Sequence, residues 1–193
     1  MAKLSLCIAV AMMPVMGLAQ APTPPRGFSG TVVAIAGDVV TLKDQVGKSF
    51  AVRMTPGWTV SVNRNVNADA IKAGSFVASQ NVPLDAGTGK STEVRILEPG
   101  YRPEEGSHAV SATNANMMTH GTVQSVNRTA DGVQLEITYP GGSRRLLVAD
   151  GIPVTYSEPL DHAVLQSGVA VEGVTRVGVD GVERASRLQL SGR

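Results

Sequence analysis

Apolar and polar positions alternate in short runs along most of the chain, the period-two pattern of strands with one buried face. In the first half the runs fall at about 30–36, 39–44, 48–54, 59–63, 75–82 and 91–97, carrying Val32, Val40, Leu42, Phe50, Val52, Val60 and Val62 at the inward positions. Turn residues separate them: Gly37-Asp38, Val46-Gly47, Pro56-Gly57 and the stretch from Asp85 to Gly89. The run at 48–54 can continue beyond Pro56-Gly57 into 59–63. One stretch breaks the alternation. Asn67 to Gly74 opens on cap-type residues, passes through helix formers and stops on glycine, which predicts a helix of one to two turns.

The pattern then returns. Gly30-Thr31-Val32 recurs as Gly121-Thr122-Val123, and Ile35 is matched by Val126. Val40 and Leu42 find Leu135 and Ile137, Phe50 and Val52 find Leu146 and Val148, and Val60 and Val62 find Val154 and Tyr156. Ile71-Lys72-Ala73-Gly74 lies against Leu165-Gln166-Ser167-Gly168, Val77 against Val171, and Arg95-Ile96 against Arg187-Leu188. Turns follow suit at Asp131-Gly132, Gly141-Gly142 and Asp180-Gly181. Agreement confined to spaced apolar positions and one glycine is what a duplicated core retains while its surface drifts.

Three strands, a short helix and two strands is the order of an OB-like barrel. The expected fold is therefore mainly β: two tandem OB-like five-stranded small barrels, each with one short helix, after a cleaved signal peptide. Repeat 1 covers 30–97, a linker 98–116, repeat 2 117–193, and residues 20–29 form a Pro-rich tail. In both first strands apolar residues stand three apart (Val32/Ile35, Val123/Val126), which strict alternation cannot bury together, so a bulge or sharp coil is expected there. Units this small are only marginally stable alone.

The N-terminus reads differently. Lys3 precedes an apolar run from Leu4 to Met16, followed by small-residue cleavage patterns around Gly17 to Ala21, so residues 1–19 are expected to be a secretory signal peptide and the protein periplasmic. The run is too short to span a bilayer, which takes about 20 residues, and no later segment approaches that length. The one cysteine, Cys7, falls inside the leader, so the exported chain has no thiol or disulfide.

Of 17 basic residues only Lys3 lies in the leader, so the remainder balance the 16 acidic ones. A neutral chain lacks the basic face that a polyanion partner requires, and no nucleic-acid partner is expected. The expected partner is a periplasmic protein or a small ligand.

Candidate chemistry is sparse. Met117, Met118 and His120, with His108 upstream, offer thioether and imidazole donors suited to a soft metal, copper or zinc being the candidates. Adjacent methionines point to opposite sides of a strand, which limits how many can share one ion. Gly87-Thr88-Gly89-Lys90-Ser91-Thr92 resembles a phosphate loop but has Leu84 where the first glycine belongs, and a strand rather than a helix follows. Trp58 is expected to cap a barrel, Arg95 and Arg187 to occupy solvent faces or a shared anion site, and Arg144-Arg145 to stand alone. No catalytic constellation emerges: Asp161 and His162 are sequence neighbours with poor geometry for an orienting pair, and Glu104-Glu105 sit among linker residues.

The Gly-Thr-Val starts at 30 and 121, Ile71-Lys72-Ala73-Gly74-Ser75-Phe76-Val77, Thr92-Glu93-Val94-Arg95-Ile96 and Asn116-Met117-Met118-Thr119-His120-Gly121 together resemble a family of small secreted bacterial proteins of unknown function with two OB-like repeats. The resemblance covers most of the chain beyond the leader. Members are often described as metal transporter permeases, a description that requires spanning helices this sequence does not encode. The resemblance implies no catalytic residues. The expectation is a non-enzymatic binding module, with a metal-handling accessory protein and an uncharacterised enzyme as alternatives.

Overall fold

A computed structural model describes residues 24–111 and 113–191, so the leader expected over residues 1–19 lies outside the described residues. Among the described residues the chain is mainly β, with strands β1 (Arg26–Ala36), β2 (Val39–Lys43), β3 (Ser49–Asn65), β4 (Phe76–Pro83), β5 (Thr88–Ile96), β6 (Gly106–Ser111), β7 (Asn114–Thr129), β8 (Gly132–Tyr139), β9 (Gly142–Val148), β10 (Val154–Leu160), β11 (Ala170–Val177) and β12 (Glu183–Leu190).

Strand pairing closes these into five-stranded rings. In one, β1, β2 and β3 run antiparallel in turn, β11 lies antiparallel beside β1, and β12 closes the ring by pairing parallel with β3. In the other, β7, β8 and β9 run antiparallel, β4 lies beside β7, and β5 closes parallel onto β9. Between them β10 pairs antiparallel with the far half of β3 and parallel with β5.

The rings do not coincide with the stretches 30–97 and 117–193. The second is continuous in sequence from β4 to β9 and is inserted between β3 and β11 of the first, which draws on both ends of the chain. Each ring thus combines three strands from one stretch with a hairpin from the other. The cores follow suit. Val32, Val40, Leu42, Val52, Met54 and Val60 pack with Leu165, Val171, Ala185 and Leu188, whereas Ile71, Val77, Val94 and Ile96 pack with Val123, Val133, Leu135, Ile137, Leu146, Val148 and Val154. Alternation reports which side chains face inward, but ring closure is a long-range choice of partner that leaves no local mark.

The glycine shared by the two stretches acts at this exchange. Gly74 has φ +86° and Gly168 φ +93°, a left-handed backbone that suits glycine. The Gly74 N–H donates to Val123 O at 2.8 Å and Gly168 N–H to Val32 O at 2.9 Å, each across to the other stretch. The helices expected before these glycines are single 3-10 turns, Ala68–Ala70 and His162–Val164. The chain turns extended at Asn67 and Ile71, and Ile71 inserts into a core at once, leaving no room for a second helical turn.

The bulges expected in the first strands are present, at Val32/Ala34 and Val123/Ser125. They do not bury both apolar residues: Val32 and Val123 are 2% and 1% exposed, but Ile35 and Val126 remain 38% and 36% exposed at the rim. Pro56-Gly57 does not interrupt β3. Gly57 takes φ +73° and the strand continues, so one long strand serves β2, β12 and β10 in succession. Part of the expected linker is ordered as β6, paired with β7, and the expected tail contributes the start of β1, where Arg26 pairs with Thr175. No helix among the described residues is long and apolar enough to cross a membrane.

Candidate functional site

Between the rings lies a cleft of about 900 Å³. One wall is the outer face of β4, β5 and β7, the other is built from β1, β11 and β12, and the segment from Leu97 to Pro103 covers one side. The cross-strand register explains what the first wall presents. Ala78 stands opposite Arg95 on one side and His120 on the other, so a small residue separates two long basic ones and leaves space above itself. Arg95 is half-buried, and its Nε is enclosed without a hydrogen-bond partner in the protein.

Arg187, its counterpart in the second stretch, does not occupy a solvent face as expected. Its side chain is 11% exposed and its Nη1 meets Glu98 Oε2 at 3.1 Å, with the Glu98 side chain 2% exposed. Arg187 Nη2 donates to Gln189 Oε1 at 2.8 Å, and the guanidinium lies 4.4 Å from the centre of the Tyr101 ring. Glu98 and Tyr101 belong to the stretch expected as linker. Folding that stretch onto β12 converts a surface arginine into a braced, charge-neutralised element of the cleft wall. At the rim, Asp180 bonds Arg184 at 2.9 Å; that contact and the Val182 N–H hold its carboxyl down at about 2.

The Met/His cluster lies on the β6–β7 pair. His108 stands opposite Met118, and His120, two residues along β7, shares that face; the two imidazole centres are 6.0 Å apart. Met117 alternates to the other face, the side of buried Thr119, as adjacent strand residues must. The structure therefore gathers three of the four candidates and leaves Met117 apart. His120 Nδ1 lies 2.9 Å from the carbonyl of Glu104, and since a carbonyl can only accept, this nitrogen carries the proton. Burial lowers the pKa of His120, and the proximity of His108 adds to the effect. Among the described residues no three or more His, Cys, Asp or Glu side chains are grouped to hold a metal ion; the Met/His cluster lies outside that donor set.

No protein-family model matches the chain, and no curated protein or solved structure is significantly similar to it.

The remaining candidates have structural roles. Asp85 caps the Gly87–Thr92 turn, accepting from Gly87 N–H and Thr88 N–H at 2.8 Å each and from Thr88 Oγ1 at 2.7 Å. Trp58 packs against the first core and stacks on His162 with ring centres 3.9 Å apart. Asp161 is engaged elsewhere, accepting from Ala163 N–H at 2.7 Å. Arg144 is the residue that sequence reasoning missed. It is 5% exposed and donates to Asn81 Oδ1 at 3.1 Å and to the carbonyls of Ala86 and Thr88 at 3.1 and 2.9 Å, tying the β4–β5 hairpin to β9. Its inward strand position was the available signal, since Leu146 and Val148 continue the same alternation.

Proposed function

We propose that the protein is a non-enzymatic binding module of the periplasm, built from two OB-like repeats, that takes a small anionic ligand in the cleft beside Arg95. The carrying observation is the Arg95 guanidinium, which faces the cleft with an enclosed Nε that no protein group satisfies. A planar guanidinium pairs in fork geometry with carboxylate or phosphate, and such charge-assisted bonds are the strong ones. Of the other arginines lining the cleft, Arg187 is paired with Glu98, Arg184 with Asp180 and Arg176, at 3.9 Å, with Glu104, so the ligand-binding charge falls to Arg95. The phenolic ring of Tyr101 and the ring of Phe28 give the cleft apolar surface for the body of the ligand. The leader read over residues 1–19 supports export, and the resemblance to secreted two-repeat proteins supports the same compartment.

A thermal-shift screen of small carboxylates and phosphates, run on the protein and on Arg95→Gln, tests the reading. The expected result is a rise in Tm with at least one class, abolished in the variant. A rise that Arg95→Gln leaves intact, or no rise across the panel, refutes cleft recognition through Arg95.

A further inference from the structure

On the outer face of the sheet formed by β4, β7 and β6, the register places Met118 directly opposite His108, and strand alternation brings His120 to the same face. Side chains directly opposite on neighbouring strands have Cβ atoms about 4.5–5.5 Å apart, within easy reach of one ion. With metal–nitrogen bonds of about 2.0–2.1 Å, two imidazoles sharing an ion place their ring centres roughly 5–6.5 Å apart, from tetrahedral to linear arrangements. The observed separation of 6.0 Å falls inside that range.

The histidine geometry adds an independent observation. His120 donates its Nδ1 proton to the Glu104 carbonyl, which fixes the tautomer and leaves the Nε2 lone pair free. Metal-ligating histidines are held in this way, with the non-ligating nitrogen bonded to a carbonyl or carboxylate. The third donor decides the metal. A thioether is soft and matches Cu(I), whereas magnesium and calcium require oxygen donors and zinc favours thiolate, imidazole and carboxylate.

We propose that His108, Met118 and His120 form a three-coordinate site for Cu(I), with Met117 excluded. The site is independent of the ligand proposed for the cleft, although His120 borders both.

The test is titration of the full exported chain with Cu(I) under reducing conditions, in competition with a chromophoric chelator. His108→Ala, His120→Ala, Met118→Leu, Met117→Leu and Arg95→Gln are compared, each first checked for cooperative thermal unfolding. The leucine variants keep apolar bulk and remove only the thioether. The expected result is one Cu(I) per chain, with affinity reduced about 100-fold by either histidine variant, the upper range that loss of even a supporting hydrogen bond reaches at a metal-bound histidine. Met118→Leu weakens binding, Met117→Leu and Arg95→Gln leave it unchanged, and X-ray absorption finds two nitrogens and one sulfur. Absence of Cu(I) binding, loss in Met117→Leu equal to that in Met118→Leu, or a first shell without sulfur overturns the proposal. Loss of Cu(I) binding in Arg95→Gln would also overturn it, because the site could then not be separate from the cleft.

Discussion

Dissecting the chain separates the ring arrangement from the order of its sequence. Residues 66–156 contain β4 to β9 and all the buried residues of the second core, from Ile71 to Val154. They also retain the Val66 N–H to Val154 O bond of 2.9 Å that ties the two ends of the segment together. This fragment is expected to fold alone. A fragment of residues 24–97, which follows the sequence repeat, keeps Val32, Val40, Leu42, Val52, Met54 and Val60 but loses Leu165, Val171, Ala185 and Leu188 from the same core. At about 1.5–3 kcal/mol per fully buried side chain, Leu165, Val171 and Leu188 together contribute roughly 5–9 kcal/mol. That is comparable with the whole stability of a small domain, about 5–15 kcal/mol. The fragment also leaves β1 and β3 with open edges, where the intact chain has β11 and β12. Amide NMR dispersion and thermal circular dichroism provide the assay: 66–156 should show dispersed signals and cooperative melting, and 24–97 and 117–191 should show neither. Cooperative folding of 24–97 with an unfolded 66–156 would refute the ring assignment.

Three further outcomes follow from particular contacts. Gly121→Ala places a Cβ 2.5 Å from Thr138 O and 2.8 Å from Ile137 Cγ2, and relief of such overpacking costs about 1–3 kcal/mol, read as a fall in Tm; Gly27→Ala, with nothing within 4 Å, should leave Tm unchanged. Glu98→Ala strands the buried Arg187 charge and should destabilise by about 3–5 kcal/mol in denaturant unfolding, whereas Glu98→Met combined with Arg187→Met should recover most of that loss. Asp180 should titrate at about 2 by NMR, against 3.8 for an ordinary aspartate. Its folded pKa is depressed, so the stabilisation is complete at neutral pH, declines as pH falls below 3.8 and is lost through about 2; Arg184→Gln should move the titration back toward 3.8, and an unmoved value would refute the pairing.

The strands were legible where side-chain alternation encodes them. The bulges in β1 and β7 were legible from one spacing anomaly, and the exclusion of Met117 from its neighbours' face follows from strand geometry. What escaped is long-range or context-dependent. Nothing local to Val171 says that it will pack with Val32 rather than with Leu135. Arg187 reads as a surface residue until Glu98 and Tyr101 fold over it, and Arg144 reads as half of an isolated basic pair until the carbonyls of the β4–β5 hairpin surround it. The cleft depends on two faces brought together by ring closure, so Arg95 could be named as a candidate without its surroundings being visible.

Because one ring is inserted within the sequence of the other, the two have all their strands at different points along the chain. The inserted ring has all its strands once the chain has been delivered to about Val154, but β1, among the first strands to emerge, cannot acquire its β11 partner until almost the last residues arrive. Contacts that span most of the chain close slowly, because the entropy of the intervening loop must be overcome first. Once folded, the inserted ring shortens that loop: the Val66 N–H to Val154 O bond holds the ends of its segment together, while the stretch of β3 from Met54 to Ser61 receives β12.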